Sequence, residues 1–289
     1  MRVIILGGTG QIGSVVREHM GRHHEIISTS RKTSTPHVQF DPFRDDWSEL
    51  GKADVLINCI GSIDASSAQG FDRVHVELTR RIIDNRHAIG NPRIVQISAL
   101  GASPMHRSDF LRTKGIADDL LLQHPDTIVI RPSIVCTHRT VLVRKMLMLS
   151  RIAKYTAGWI FVPKGFLTTR IQPVTPDDLA GIVKTVCMRR DHGVVEVAGP
   201  EVMRFADVLA LLSEVRNQKI RRVEMPRSIM DSLIEGVTSQ LFPSVISVQQ
   251  YGLLFEDNTA DNEMCAKLLE RPMTSVISFF QKEFSNATY

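Results

Sequence analysis

The segment Gly7-Gly8-Thr9-Gly10-Gln11-Ile12-Gly13 constrains this 289-residue chain more than any other. Its glycines follow a G-x-x-G-x-x-G spacing. It comes directly after the apolar run Arg2–Leu6 (RVIIL) and directly before a helical pattern over Gln11–Met20, with Ile12, Val15, Val16 and Met20 on one side. A short, nearly unbroken apolar run that ends in glycines reads as a strand buried on both faces. Gly7 allows the tight turn, Gly10 lets the backbone approach an anion, and Gly13 lets the helix pack close to the strand. The opening of the helix then offers main-chain N–H groups and the positive end of its dipole. In this context the loop is a dinucleotide-binding fingerprint, with Gly7, Thr9, Gly10, Gln11, Ile12 and Gly13 expected around the pyrophosphate.

Behind the loop, strand-like runs and helical patterns alternate. Strands are expected at Glu25–Ser28, Val38–Phe40, Asp54–Ile60 (DVLINCI), Arg93–Ser98 (RIVQIS) and Thr127–Arg131 (TIVIR). Helical spacing covers Phe71–His87, with Val74, Leu78, Ile82 and Ile83 on one stripe, and Asp109–Gln123. Such alternation predicts an α/β fold of the Rossmann type, a doubly wound parallel sheet with right-handed crossovers. After Pro132 the pattern loosens. A helix over Asp177–Met188 is opened by Thr175 and Pro176, and a strand follows at Val194–Val197. Phe205–Val215, Arg227–Leu241, Val248–Phe255 and Thr274–Phe284 read as helices. The organisation expected is a nucleotide-binding domain over 1–135, rejoined by 171–199. A smaller, mainly helical C-terminal part, 136–170 and 200–289, would cover the carboxyl ends of the sheet as a substrate cap or docking region.

The second strand runs out into Ser28-Thr29-Ser30-Arg31-Lys32. A site for NAD places Asp or Glu about 20 residues past the first glycine, on the ribose 2′-hydroxyl. No acid stands there. Arg31 and Lys32 match a 2′-phosphate in charge and donor geometry. The cofactor expected is therefore NADP(H), ahead of NAD(H).

Composition removes several other classes. The net charge is +4, with acids and bases mixed and no long run of Lys and Arg, which argues against a nucleic-acid partner. Hydrophobic residues, at 43%, supply a core without disulfide or metal staples. Cys59, Cys136, Cys187 and Cys265 form no Cys-x-x-Cys pair and read as thiols in a reducing compartment. His23 and His24 are neighbours and cannot share a helix face, so no metal site is expected. The opening residues lack the apolar length and cleavage site of a signal peptide. No stretch nears the roughly 18 apolar residues of a spanning helix. The location expected is cytoplasmic, with attachment to a membrane surface open.

With these features, Asn58-Cys59-Ile60-Gly61 after the fourth strand and Ile97-Ser98-Ala99-Leu100-Gly101-Ala102 after the fifth resemble the short-chain dehydrogenase/reductase superfamily, in its extended and atypical branches. Arg131-Pro132-Ser133-Ile134-Val135, Ile171-Gln172-Pro173-Val174, Asp177-Asp178-Leu179-Ala180 and Ala198-Gly199-Pro200-Glu201 are similar to the NmrA-like branch and to the nucleotide-binding accessory subunit of respiratory complex I. Ser247-Val248-Gln249-Gln250 and Leu253-Leu254-Phe255-Glu256-Asp257-Asn258 resemble the tail of that subunit family more loosely. The resemblance implies Asn58 and Gly61 beside the cofactor and Asp41 near its adenine.

Members of the superfamily that transfer hydride carry Ser and then Tyr-x-x-x-Lys. The Tyr is the acid/base, the Lys holds the nicotinamide ribose and lowers the Tyr pKa, and the Ser positions substrate. The matching segment here is Phe110-Leu111-Arg112-Thr113-Lys114. Ser98 and Lys114 are kept, but Phe110 holds the Tyr position and cannot exchange a proton. The three tyrosines, Tyr155, Tyr251 and Tyr289, lie elsewhere. Three functions follow from the resemblance. The first is an NADP(H)-binding protein without turnover, of the complex I accessory type, within a membrane-associated protein complex. The second is an NADPH-dependent reductase or epimerase-like oxidoreductase of a small carbonyl substrate, with Lys114 as the acid at a depressed pKa. The third is a regulatory sensor of the NADP(H) redox ratio.

One segment keeps separate readings. Val141–Lys164 combines Arg144, Lys145, Arg151 and Lys154 with Met146, Leu147, Leu149, Trp159 and Phe161. A basic, apolar helix suits an anionic lipid surface, but the reading preferred is an ordinary amphipathic element packed over the cofactor crevice. Arg170 is a further candidate for the crevice mouth.

Overall fold

The computed structural model describes residues 1–32, 37–62, 68–137, 140–230, 232 and 252–286. They form two compact units. The first comprises Met1–Ser133, Pro176–Ala198 and Ala260–Met273, the second Ile134–Thr175, Gly199–Thr259 and Thr274–Tyr289.

The first unit is built on seven strands: β1 (Arg2–Leu6), β2 (Glu25–Ser30), β3 (Val38–Gln39), β4 (Val55–Asn58), β5 (Arg93–Ile97), β6 (Thr127–Pro132) and β9 (Gly193–Val197). Their order is β3-β2-β1-β4-β5-β6-β9. Every pairing is parallel. All of β4 and β5 is buried, as a sheet covered on both faces requires. This is why Val55–Ile57, Ile94, Val95 and Ile97 are apolar, with Asn58, Arg93 and Gln96 as buried polar exceptions.

The helices follow from the stripes. Helix α1 (Gln11–Gly21) buries Gly13, Val16 and Met20. Helix α4 (Asp109–Leu122) buries Leu111, Gly115, Ala117 and Leu121, and helix α6 (Pro176–Met188) buries Leu179, Ile182, Val183 and Val186. The expected helix Phe71–His87 is subdivided. Helix α2 (Ala68–Asp72) passes into a π-helical turn, Arg73–Glu77, then into α3 (Leu78–Asn85) and a 3₁₀ turn, Arg86–Ile89. The π-turn widens the helix by one residue where His75 is turned inward, a feature the regular spacing does not encode.

Residues 260–273, read from sequence as part of the C-terminal region, pack in the first unit. Two contacts hold them. Arg271 pairs with the buried Asp178 at 2.6 Å, and the Cys265 thiol lies 3.4 Å from the Glu196 carbonyl. Residues 171–175, expected to rejoin the nucleotide-binding domain, fall in the second unit.

The second unit contains α5 (Val141–Tyr155), β7 (Trp159–Pro163), β8 (Arg170–Ile171), β10 (Met203–Arg204), α7 (Phe205–Val215), β11 (Arg221–Met225) and the helix Val276–Asn286. Its core joins Leu142, Val143 and Met146 to Val208, Leu212, Phe280 and Phe284. The expected helices Arg227–Leu241 and Val248–Phe255 lie largely outside the described residues, as does Ser247-Val248-Gln249-Gln250. The pairing of β11 with β7 is a departure from a mainly helical reading. Arg221-Arg222-Val223-Glu224-Met225 alternates at period two, but charge on three of five residues hides it from an apolar scan. The outer side of this ribbon leaves Trp159 and Phe161 exposed, with Arg221 over the Trp159 ring at 5.3 Å.

Close packing in the first unit leaves no room at Gly115. A Cβ there would stand 2.5 Å from Pro104 N and from Ser103 Cα. Gly115→Ala would gain helix propensity of about 0.5–1 kcal/mol. Overpacking against backbone costs about 1–3 kcal/mol and wins. The variant is expected to unfold at lower urea with an unchanged denaturant slope; a raised midpoint would refute the packing argument.

Candidate functional site

In a doubly wound sheet, ligands gather where the strand order reverses, outside the carboxyl ends of the strands. Here the reversal lies between β1 and β4, whose ends align at Leu6 and Asn58. Gly7 turns the chain with φ +77° and packs on Ile60, where a Cβ would come within 2.9 Å. Gly8 N–H donates to the Thr29 carbonyl at 3.1 Å and Gly10 N–H to the Gly7 carbonyl at 2.9 Å, fixing the loop. A Cβ on Gly13 would stand 3.1 Å from Gly8 Cα and closer still to the Gly7 carbonyl oxygen. Helix α1 can therefore approach the loop only because residue 13 is glycine.

The sequence-derived residues fall into three places. Gly7, Thr9, Gly10, Gln11, Ile12 and Gly13 form the loop and the first turn of α1, with Gly10 as N-cap. No side chain caps it, and no acid stands in the first turn. This suits an anion: the open end carries dipole and N–H groups, and around Gly10 a Cβ would meet only the Gly7 carbonyl oxygen, at 3.1 Å. Arg31 and Lys32 lie just past β2, both exposed. Asp41 is engaged locally, accepting from Phe43 N–H at 3.0 Å.

Asn58 is buried and serves the sheet. Its amide donates to Gln96 on β5 at 2.8 Å, and its carbonyl oxygen accepts from Ile60 N–H at 3.1 Å. It thereby shapes Cys59-Ile60-Gly61 without presenting its own side chain to a ligand.

Ser98 and Lys114 lie beneath that turn, 6% and 4% exposed. Lys114 Nζ donates to the Ile97 carbonyl at 2.8 Å. Ser98 turns to Asp118, donating to its Oδ2 at 2.8 Å. Arg131 Nε reaches the same oxygen at 2.9 Å, while Asp118 Oδ1 has no hydrogen-bond partner among the described residues. Burial pushes the Asp118 carboxyl up. Burial also lowers Lys114, against the pull of Asp118, to about 8. Phe110 packs edge-on against Phe71 and His75, with ring centroids at 6.0 and 5.7 Å.

Sequence reasoning missed Asp118 and His75. Phe110, Lys114 and Asp118 are spaced by four and share one face of α4, and that spacing was the available signal for Asp118. Nothing in the linear pattern marks His75. The four cysteines are unpaired, and no cluster of three or more His, Cys, Asp or Glu is placed to hold a metal among the described residues.

The Lys114 shift has a pH consequence. The folded chain releases this proton above about pH 8, while the unfolded chain keeps it to about 10.5. Stability therefore rises with pH between those values, and the burial penalty is constant below them. The difference in thermal midpoint between wild type and Lys114→Met should move in favour of wild type from pH 8 to pH 10. A flat difference would mean that Lys114 titrates normally.

Comparison with known proteins agrees with this arrangement. Residues 3–113 match the model of the NAD dependent epimerase/dehydratase family. The chain is 26% identical over 247 residues to NADH dehydrogenase [ubiquinone] 1 alpha subcomplex subunit 9, mitochondrial, of Arabidopsis thaliana. That match takes in 78% of this chain and 59% of the relative, so the chain spans less than two thirds of it. In fold it is similar to UDP-glucuronic acid 4-epimerase from Bacillus cereus in complex with UDP-glucuronic acid and NAD, with a TM-score of 0.74, 14% identity and 98% of both chains covered. It is also similar to RMD from Pseudomonas aeruginosa complexed with NADPH, at a TM-score of 0.69, 13% identity and 99% of both chains. Residues 3–113 thus match the model of the NAD dependent epimerase/dehydratase family, and the chain is similar in fold to an epimerase in complex with NAD and to RMD complexed with NADPH.

Proposed function

We propose that this protein binds a nicotinamide dinucleotide, NADP(H) in preference to NAD(H), and holds it as a structural or sensing group without turning it over. The observation that carries the reading is the phenylalanine at position 110, one helical turn before Lys114 in α4. Phe110 offers no proton to a substrate oxygen. Ser98 is committed to the Asp118 carboxylate, away from the substrate-positioning role its place implies. What remains is binding chemistry. Gly7, Thr9, Gly10, Gln11, Ile12 and Gly13 would hold the pyrophosphate, and Arg31 and Lys32 the 2′-phosphate. Gly61 and Lys114 would meet the nicotinamide-side ribose, with Asn58 supporting the turn and Asp41 toward the adenine. A bound nicotinamide supplies hydride chemistry, and the residues around it here orient and retain it.

The partner proposed is a membrane-associated protein complex. Likeness to a complex I subunit supports this, as do the exposed Tyr155 (86%) and Phe161 (56%) of the second unit. No Asp or Glu stands between Asp126 and Asp177, a span that carries eight Lys and Arg. Of these, Arg131 and Arg170 pair with Asp118 and Asp257, while Arg144, Arg151, Lys154 and Lys164 are exposed, and exposed basic side chains suit an anionic environment. No helix among the described residues is long and apolar enough to cross a membrane.

A second reading rests on Lys114, whose ammonium is lowered to about 8 and is within reach of general-acid work. It makes the chain a reductase of a small carbonyl compound.

The rate at which bound NADPH leaves, followed by nicotinamide fluorescence during a chase with NADP⁺, separates the two. Release over minutes or longer is expected. Release within a second, with carbonyl reduction that Lys114→Ala abolishes, would establish the reductase instead. Arg31→Ala should weaken NADPH about tenfold or more, as expected for a hydrogen bond between charged groups, and leave NADH nearly unchanged. Equal effects on the two would remove the 2′-phosphate assignment.

A further inference from the structure

His75 stands on the π-turn and is 2% exposed. Phe71 stacks along the ring at 5.8 Å, and Phe110 meets it edge-on at 5.7 Å. Its Nδ1 lies 2.8 Å from Thr113 Oγ1. That hydroxyl lies 2.8 Å from the Asp109 carbonyl oxygen and 3.3 Å from that of Phe110. Carbonyl oxygens only accept, so the Thr113 proton goes to them and Nδ1–H donates to Thr113. Burial and the nearby Lys114 charge hold the ring neutral, with its pKa lowered to about 2. A neutral imidazole has one N–H, already placed on Nδ1.

Nε2 is then a bare lone pair. It is fully buried and has no hydrogen-bond partner among the described residues. It faces Gly61, 4.0 Å from the point where a Cβ on that glycine would stand. Lys114 Nζ lies 3.2 Å from the same point. One Lys114 donor is used on Ile97, and an ammonium has three. Gly61 itself is exposed, and both buried atoms lie within 4.0 Å of the point its Cβ would occupy. An acceptor and a donor therefore flank one point beside Gly61.

We propose that His75 Nε2 joins Lys114 Nζ, already assigned to the nicotinamide-side ribose, in a hydroxyl-binding notch beside Gly61, with His75 accepting from a ribose hydroxyl and Lys114 donating to it. The chemistry selects the group. A carbonyl or a phosphate satisfies Lys114 but leaves Nε2 without a donor, and a ligand ammonium is repelled by Lys114. A hydroxyl both gives and takes. His75 is a positioning residue for the ligand in this scheme, and its ring is held by Thr113, Phe71 and Phe110. The inference rests on the dinucleotide reading above.

The test compares two ligands on the full chain: NADPH, and 2′,5′-ADP, which has the 2′-phosphate but no nicotinamide ribose. His75→Phe should weaken NADPH roughly five- to tenfold, the effect of one lost hydrogen bond, and leave 2′,5′-ADP unchanged. Gly61→Ala, which puts a methyl group in the notch, should give the same selective loss. His75→Gln, which keeps an acceptor, should recover part of the affinity. Unchanged NADPH binding in His75→Phe would overturn the proposal, since Nε2 would then hold no part of the ligand. Equal loss of both ligands would also overturn it, as the mark of a packing role. Should His75→Phe fail to fold, the ¹⁵N shift of His75 Nε2 in the wild type decides: it must move with NADPH and stay with 2′,5′-ADP. Wild type that binds 2′,5′-ADP and NADPH with a silent Nε2 sinks the notch alone. Wild type that binds neither sinks the dinucleotide reading and the notch with it.

Discussion

The approach of helix α1 to the end of β1 is the contact on which the crevice depends. Gly13 lies against the Gly7 carbonyl, and Gly7 lies against Ile60. A side chain on either glycine would lift the helix or push β4 away. The first move would take the N–H groups of α1 from the position a pyrophosphate needs. The second would displace Cys59-Ile60-Gly61, the turn beneath which Lys114 is stored. Two hydrogen bonds from Asn58, to Gln96 and from Ile60, then hold that turn to the sheet. The glycine loop and the Cys59-Ile60-Gly61 turn are thus one mechanical assembly, set by the absence of two methyl groups.

Beneath it lies a small set of buried charges. Asp118 and Arg131 form an ion pair, with Asp118 wholly buried and Arg131 partly so. A buried pair of this kind adds little net stability, yet removing one partner leaves an isolated charge that costs several kcal/mol, about 3–5. The pair cancels its own charge, so Lys114 supplies the excess. One uncompensated cation under the mouth of the crevice is what an anionic dinucleotide would neutralise, and this gives the burial of Lys114 a use as well as a cost.

Legibility in the sequence followed whether a feature is carried by main chain or by side chain. The phosphate loop was readable because the turn needs glycines at fixed spacing, and β1, β4 and β5 because a sheet buried on both faces must be mostly apolar. The α5 to β7 segment was readable only as basic and apolar; its division into helix and strand depends on Gly158, at φ +92°, which no periodicity announces. Strand β11 was missed because it is an edge with alternating charge. His75 was missed because its environment comes from Phe71, from Phe110 and Thr113, and from Gly61, on three separate stretches of chain. Ser98 shows the converse. Its position was correctly singled out, but the partner that redirects its hydroxyl, Asp118, sits twenty residues away on another element.

Phe110 alters more than one proton transfer. An acid/base tyrosine at this point would bring a polar oxygen into the ring cluster of Phe71, His75 and residue 110. Phenylalanine makes the surroundings of His75 apolar on both flanks, and this keeps the imidazole neutral beside a lysine. A protonated His75 would place a second cation against Lys114 and lose its acceptor. Phenylalanine at position 110 therefore preserves the lone pair on Nε2. Phe110 thus leaves a donor and an acceptor side by side in dry surroundings, an arrangement suited to holding a hydroxyl in place.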